Sequence, residues 1–205
     1  MSARETLVIV NPTSAGGRTA REWSRTAARL RAHGVDFDVH MTKAPDDATR
    51  AVRAALREGV KRIVSVGGDG TLNEVVNGFF DEDGTLLGGS PVLAVIPSGT
   101  GGDFRRSAGI PLKPDASVQL LTTTKPRRVD AGCVEYADGS RRYFINVAGC
   151  GIDGDVVARV NRSRHKGGGL RGSAVFFWQS LAAVMTFGGR RVRLTVDDTR
   201  FERTV

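Results

Sequence analysis

A glycine-rich segment with a single carboxylate in its middle, Gly67-Gly68-Asp69-Gly70-Thr71, carries the most specific chemical signal of this 205-residue chain. It follows an apolar run, Ile63 to Val66, that is typical of a buried strand. Because glycine has no Cβ atom, a ligand can approach the backbone of such a segment closely. We predict that Thr71 caps a helix beginning at Leu72, whose first N–H groups and dipole would attract an anion.

Asp69 lies inside this predicted anion site, where a carboxylate alone would repel a phosphate group. A divalent cation that bridges Asp69 to the phosphates removes the conflict, and phosphoryl transfer uses this arrangement. The segment is not a P-loop, since no Gly-Lys-Ser/Thr follows it, and Asn73 stands where a dinucleotide fingerprint needs its third glycine. These residues therefore predict a nucleotide site in which Asp69 binds Mg²⁺.

Strand and helix patterns alternate along residues 1–126. The predicted strands are Thr6 to Asn11, Phe37 to Met41, Ile63 to Val66 and Val92 to Ile96, and the predicted helices are Arg21 to Ala32, Ala44 to Glu58, the segment from Leu72, and Ala116 to Thr123. Asp46 or Asp47 is the expected cap of the second helix. This alternation predicts an α/β domain with a doubly wound, largely parallel sheet that binds ligands at the carboxyl ends of its strands.

The pattern becomes β-rich after Pro126. Strands are predicted over Arg128 to Val134, Arg141 to Ala148 and Arg190 to Val196. One helix, Ser173 to Phe187, is apolar along most of its faces, which favours packing in a core, with contact to a lipid as the alternative. We therefore predict two domains: a nucleotide-binding domain over residues 1–126 and the start of a second, β-rich domain over residues 127–205.

Four motifs in serial order make the chain resemble the lipid kinase family that holds the soluble bacterial diacylglycerol kinases and the sphingosine and ceramide kinases. The motifs are Val8 to Arg18, Ser65 to Gly78, Pro97 to Phe104 and Asn146 to Val157. The resemblance implies a lipid kinase that depends on ATP and Mg²⁺ and phosphorylates a hydroxyl group of a diacylglycerol-like lipid. The chain departs from the family at Gly102, where family members have asparagine. This difference is expected to loosen the ATP site.

The chain is also shorter than members of that family, whose general base and structural magnesium site lie in their C-terminal third. We therefore expect an N-terminal fragment that binds nucleotide and does not turn over lipid. Two alternatives stay open. One is an NAD kinase, which shares the Gly-Gly-Asp-Gly-Thr core, although the continuation from Leu72 to Asn77 and the Asn11-Pro12 start favour the lipid side. The other is a non-catalytic fragment that binds nucleotide or lipid.

The resemblance and the local chemistry together assign roles to individual residues. The expected nucleotide-binding residues are Asn11, Pro12, Thr13, Ser14, Ala15, Thr42, Gly67, Gly68, Asp69, Gly70, Thr71, Leu72, Asn73, Glu74 and Thr100. Asp69 is the expected metal ligand and a catalytic residue. Arg106 is the second catalytic candidate, because it could offset phosphoryl charge, although a solvated helix arginine explains it nearly as well. Asp153 and Asp155 are expected to face the lipid headgroup, and helix capping explains either one equally well.

The excess of positive over negative charge lies entirely in the second half of the chain. Residues 1–104 hold 12 Lys and Arg against 13 Asp and Glu, whereas residues 105–205 hold 18 against 9. An anionic membrane surface explains this excess, since basic residues near acidic lipids each contribute about 1 kcal/mol. A general preference for arginine on solvated faces explains it as well, and both interpretations stay open. No nucleic-acid reading motif is present, so we expect a lipid partner, and also a homodimer, but no nucleic acid.

The location follows from weaker signals. The sequence contains no run of 18 or more apolar residues, so no membrane span is predicted. No apolar leader precedes the first predicted strand. The two cysteines, Cys133 and Cys150, are too few for a disulfide framework, so reduced core thiols are expected. These features predict a cytoplasmic protein that is peripheral to the membrane.

Overall fold

The computed structural model describes residues 5–98, 102–149, 154 and 191–204, in two compact units that divide after Asn146. The elements of the first unit are β1 (Thr6–Val10), α1 (Ser14–Ala32), β2 (Asp38–Met41), α2 (Asp47–Arg57), β3 (Arg62–Gly67), α3 (Asp69–Asn77), β4 (Val92–Pro97), α4 (Asp103–Ala108), α5 (Pro114–Thr123), β5 (Gly132–Glu135) and β6 (Arg141–Phe144). The second unit contains the antiparallel pair β7 (Arg191–Val196) and β8 (Thr199–Thr204). The predicted helix Ser173 to Phe187 lies outside the described residues.

Four parallel strands form the central sheet in the order β2-β1-β3-β4. The chain leaves β1 toward β2 and then returns to the other side of β1 to form β3. The direction of winding therefore reverses between β1 and β3, and the crevice outside the carboxyl ends at such a point is where open α/β sheets bind ligands. This topology confirms the predicted doubly wound parallel sheet.

Helices cover both faces of this sheet, because alternate side chains of each strand point to opposite faces. Val8 and Val10 pack with α1 and α5, whereas Ile9 packs with α2 and α3. All three side chains have no exposed surface. Burial on both faces explains why β1 and β3 are continuous apolar runs in the sequence rather than alternating ones.

Helix α3 begins at Asp69 and not at Leu72, so the prediction that Thr71 caps it is wrong. Gly68 is the N-cap residue and has extended backbone, with φ −95° and ψ −171°. The first helical hydrogen bond runs from Leu72 N to Gly68 O at 3.0 Å. Two glycines allow the chain to turn directly from β3 into the helix, which leaves Thr71 in the first turn and buried.

Asp46, one of the two predicted caps of α2, is its N-cap residue, but its side chain does not cap the helix. Asp46 is in the left-handed region, with φ 60°, and its side chain makes no capping hydrogen bond. Instead, Glu74 Oε2 accepts a hydrogen bond from Ala48 N at 3.3 Å, and Glu74 O accepts one from Thr49 Oγ1 at 2.9 Å. A residue 26 positions away in the chain therefore satisfies the amino end of α2, which no local pattern could indicate.

The hairpin of β5 and β6 packs on α3 within the first unit. Asn77 Nδ2 donates to Tyr143 O at 2.9 Å, and Tyr143 N donates to Asn77 Oδ1 at 2.9 Å. The Tyr143 ring stacks on Phe80 with 3.8 Å between centroids, and burial raises the pKa of its hydroxyl, with a hydrogen bond to Cys133 adding to the shift. The first unit thus includes two strands from the sequence assigned to the second domain, and the division at 126 stays a prediction.

Cys133 is exposed, so the prediction of a core thiol is wrong for this residue. It lies on β5, which pairs with β6, and among the described elements the contact of the hairpin with α3 is made through β6. Cys150 lies outside the described residues.

We predict that Asn77→Leu destabilises the protein by about 1–3 kcal/mol, because Tyr143 N–H would lose its acceptor in a buried setting, while Tyr143 C=O would keep only Asn73 Nδ2 as a donor. The measurement is the free energy of unfolding in urea. Gln119→Leu on the exposed side of α5 serves as the control for adding an apolar side chain. Equal stability of the Asn77 variant and the control would contradict the proposed pairing.

Candidate functional site

Loops that follow β1, β3 and β4 meet at one edge of the sheet. Asn11 N donates to Val66 O at 3.1 Å, and Ser98 N donates to Gly67 O at 2.8 Å, so the strand pairing continues one step into these loops. Thr42, after β2, extends the same edge through its N–H to Val10 O at 2.9 Å. The structure therefore brings the predicted nucleotide residues that follow β1, β2 and β3 to one edge, where Ser98, which was not predicted, follows β4.

Asn11 joins the first loop to α3 at the point where the winding reverses. Its Nδ2 donates to Thr71 Oγ1 at 3.0 Å. Its Oδ1 accepts hydrogen bonds from Thr13 N at 3.0 Å and from Thr13 Oγ1 at 2.8 Å. Both ends of the amide are thus engaged, which defines its orientation. Asn11 and Thr71 were predicted as ligand contacts, and here they hold the two loops in position.

The first turn of α1 has an unusual backbone. Thr13 is right-handed, whereas Ala15, Gly16 and Gly17 are left-handed, with φ of 53°, 66° and 81°. Glycine tolerates this region freely, but for Ala15 it is strained. A change from right-handed to left-handed backbone turns successive N–H groups toward one side, as in anion-binding nests. Thr13 N and Ser14 N already donate to Asn11, and Gly17 N donates to Thr13 O, so the amides that this turn could offer to a ligand are those of Ala15 and Gly16.

A chain of hydroxyl groups connects the first loop to the loop after β4. Thr19 Oγ1 lies within hydrogen-bond distance of both Ser14 Oγ and Ser98 Oγ. Thr19 is only 2% exposed, so this link is internal. Sequence reasoning missed Thr19, because a single threonine in a helix has no distinguishing local signal. Only the fold brings it against a residue 79 positions away.

The glycines of the segment after β3 differ in their surroundings. A Cβ atom on Gly67 would lie 2.5 Å from Thr71 Oγ1, so this position has no room for a side chain. A Cβ atom on Gly70 would meet nothing within 4 Å. Gly67 therefore permits the close packing of β3 against α3, whereas Gly70 leaves the amino end of α3 open to a ligand.

Asp69 connects α3 to the loop before α4. Gly102 N donates to Asp69 Oδ2 at 2.6 Å. Gly102 has φ 102°, a conformation that glycine adopts without strain. A cleft forms beside this hydrogen bond. Its lining residues are Gly67, Gly68, Asp69, Leu72, Val95, Pro97, Gly102, Arg105 and Leu112.

The two arginines of α4 lie in different surroundings. Arg106 is exposed, and its Nη1 pairs with Asp103 Oδ1 at 2.7 Å. Arg105 lines the cleft with Asp69. The catalytic role of Arg106 stays a prediction, and Arg105 is a cleft residue that sequence reasoning missed. Adjacent arginines on a short helix are indistinguishable in sequence, and only the packing of α4 separates them.

The remaining predicted residues lie in different places. Asn73 and Glu74 point away from the cleft: Asn73 Nδ2 donates to Tyr143 O at 3.1 Å, and Glu74 caps α2. Leu72 is buried against Val76 and also lines the cleft. Pro12 lies in the turn after β1, beside the residues already described. Thr100, Asp153 and Asp155 lie outside the described residues.

Asp47 begins α2, after the edge strand β2, and its carboxylate accepts hydrogen bonds from two neighbouring groups. The Lys43 N–H, at 2.9 Å, holds the pKa of its carboxyl below the usual range, and His40 Nε2 at 3.2 Å adds to the effect. These contacts fasten the β2–α2 loop. Asp47 is therefore occupied in structure and is not available to a ligand in the cleft.

Comparison with known proteins agrees with the fold and the arrangement of the loops. The sequence model of the family described as the diacylglycerol kinase catalytic domain matches residues 5–134. The chain therefore belongs to this family of lipid kinases. The resemblance predicted from the four motifs is thereby confirmed.

The following similar proteins come from bacteria. The protein named "Probable lipid kinase YegS-like" of Pseudomonas fluorescens is 31% identical over 183 residues, which are 89% of this chain and 55% of the relative. The protein of the same name in Enterobacter is 35% identical over 144 residues, which are 70% of this chain and 45% of that relative. The chain spans about half the length of the curated relatives it matches. A crystal structure of a diacylglycerol kinase from Bacillus anthracis has a TM-score of 0.67 and 27% identity, covering all of this chain and 62% of that one.

We predict that Gly67→Ala destabilises the protein by about 1–3 kcal/mol, because the new methyl group would push Thr71 away from Asn11. Gly70→Ala is the matched control, since it adds the same methyl group at an open helical position and should be neutral or slightly stabilising. Urea unfolding of both variants gives the comparison. Equal urea midpoints for the two variants would contradict this prediction, because they would show that Thr71 can move to accommodate the added methyl group.

Proposed function

We propose that this chain carries the nucleotide- and metal-binding part of a lipid kinase that uses ATP and Mg²⁺ to phosphorylate a hydroxyl group of a diacylglycerol-like lipid. The observation that carries the proposal is the Asp69 carboxylate, which Gly102 N–H holds at the amino end of α3 beside three converging loops. Membership in the lipid kinase family supports the reaction class.

The residues fit the phosphates of a nucleotide. The first helical bond of α3 is donated by Leu72 N, so the amides of Asp69, Gly70 and Thr71 come before it at the positive end of the helix dipole. Gly70 is exposed and has open space around it. Together with the left-handed turn at Ala15, these amides would hold phosphate oxygens from two sides of the switch point.

The residues also fit Mg²⁺, through Asp69. Among residues 5–98, 102–149 and 191–204, no three His, Cys, Asp or Glu side chains are grouped as a metal cage. Magnesium in phosphoryl-transfer sites commonly binds one or two carboxylates and takes its other ligands from water and phosphates. Asp69 would supply that carboxylate, and the ion, when bound, would neutralise charge between Asp69 and the phosphates.

The lipid side of the proposal rests on the family and on charge. We propose that Asp153 and Asp155 face the lipid headgroup, and that the basic excess of residues 105–205 favours an anionic membrane surface. In the described part of the chain, no helix has the length and apolar character needed to cross a bilayer. The protein would then meet its substrate at the cytoplasmic surface of the membrane.

We predict that Asp69→Asn weakens binding of ATP in the presence of Mg²⁺ by about 10–100-fold, since a charged contact of this kind contributes roughly 1.5–3 kcal/mol. Isothermal titration calorimetry with and without MgCl₂ measures it. The amide oxygen of Asn can still accept from Gly102 N–H, so circular dichroism should report an unchanged fold. Asp103→Asn, which removes an exposed carboxylate nearby, is the control. An unchanged magnesium dependence in the Asp69 variant would remove Asp69 from the metal site.

We predict that a lipid, and not the ribose of NAD, accepts the phosphoryl group. Radiolabelled ATP is offered in parallel with diacylglycerol micelles, sphingoid bases and NAD to the full-length Pseudomonas fluorescens relative, because this chain is expected to bind nucleotide without turning over lipid. Label in the lipid phase is the expected result, because the family is a lipid kinase family. Label in NADP alone would favour the NAD kinase alternative instead.

A further inference from the structure

Arg105 brings a positive charge to the wall of the cleft that contains Asp69. It lies in α4, after the loop that contacts Asp69, and lines the cleft together with Gly67 and Gly68. No carboxylate of the described residues lies within ion-pair distance of its guanidinium, whereas Arg106 pairs with Asp103. The charge of Arg105 is therefore not neutralised by the part of the protein that the structure describes.

The hydrogen bonds of Arg105 are incomplete. Its Nη1 donates to Ile110 O at 3.2 Å, which anchors the guanidinium to the loop after α4. Its Nε is buried and has no hydrogen-bond partner among the described residues. A buried donor without an acceptor is costly, and native structures seldom keep one unless a ligand, ion or water satisfies it. The side chain as a whole is only partly buried and lines the cleft, so an acceptor that enters the cleft would meet its remaining guanidinium donors.

Gly102 explains how the arginine and the aspartate come to share one wall. Its N–H donates to Asp69, and a Cβ atom at this position would lie 3.1 Å from Arg105 Nε. A side chain here would therefore crowd the guanidinium, and the left-handed backbone would be strained as well. The absence of a side chain at Gly102 lets Arg105 lie directly over the loop that holds Asp69.

We propose that Arg105 binds the terminal phosphoryl group of ATP in this cleft. The proposal rests on the proposed function and assigns to Arg105 the charge compensation that sequence reasoning gave to Arg106. A planar guanidinium with several donors matches phosphate oxygens better than any other side chain does. Asp69 and Arg105 then serve different parts of one ligand, since the carboxylate faces the metal ion and the guanidinium faces the phosphoryl oxygens.

The experiment measures binding of ATP, ADP and dihexanoyl phosphatidate, each with Mg²⁺, to the purified chain by isothermal titration calorimetry. Arg105→Met removes the charge and keeps the apolar stem, whereas Arg105→Lys keeps the charge and loses the planar donors. Arg57→Met removes an exposed arginine on α2, which pairs with Glu82, and controls for net charge. Arg106→Met tests the rival assignment.

We expect Arg105→Met to weaken ATP binding by about tenfold or more, with a smaller loss in Arg105→Lys and less than about threefold change in ADP binding. Arg57→Met should bind ATP like the unaltered chain. Unchanged ATP affinity in Arg105→Met, or a loss in Arg106→Met alone, would overturn the assignment. A loss confined to phosphatidate would overturn it too, because the phosphate would then belong to the lipid. Failure of the unaltered chain to bind ATP would instead refute the proposed function itself.

Discussion

The parallel pairing of β1 with β3 is the constraint on which the rest of the site depends. Their register sets Val10 opposite Val66, so the two strands end level with each other. Ile9 and Val64 have no exposed surface, because helices cover both faces of the sheet. A slip of one residue would exchange the two faces of a strand and would separate the loops that follow. The burial of apolar side chains on β1 and β3 therefore decides where the polar groups of the cleft lie.

Helix α3 transmits this constraint to the neighbouring elements. Thr71, Glu74 and Asn77 follow at three-residue spacing, and each contacts a different partner: the loop after β1, the first turn of α2 and the strand β6. All three contacts use polar side chains against backbone or side-chain groups that would otherwise lack a partner. A helix held at three positions along its length presents its amino end in one orientation, which is the preorganisation that the proposed binding of phosphate charge requires.

The cleft combines groups of opposite sign without pairing them to each other. Asp69 is held by a backbone N–H, and Arg105 is anchored by a backbone carbonyl, so each charge is oriented by neutral groups. A direct ion pair would have neutralised both charges and left little for a ligand. Backbone groups instead position each side chain, and its charge remains available to the metal ion or the phosphate that the proposed reaction brings together.

The sequence by itself determined the class of fold, the family and the position of the glycine-rich segment Gly67 to Thr71, because these follow from local patterns. Apolar runs at Thr6 to Asn11 and Ile63 to Val66 indicate buried strands, and the glycines around Asp69 indicate a close approach to the backbone. The tertiary structure alone decided which side chains reach the cleft. Thr19, Arg105 and the capping role of Glu74 depend on contacts with residues distant in the chain or on the packing of a short helix, and neither leaves a mark in local spacing.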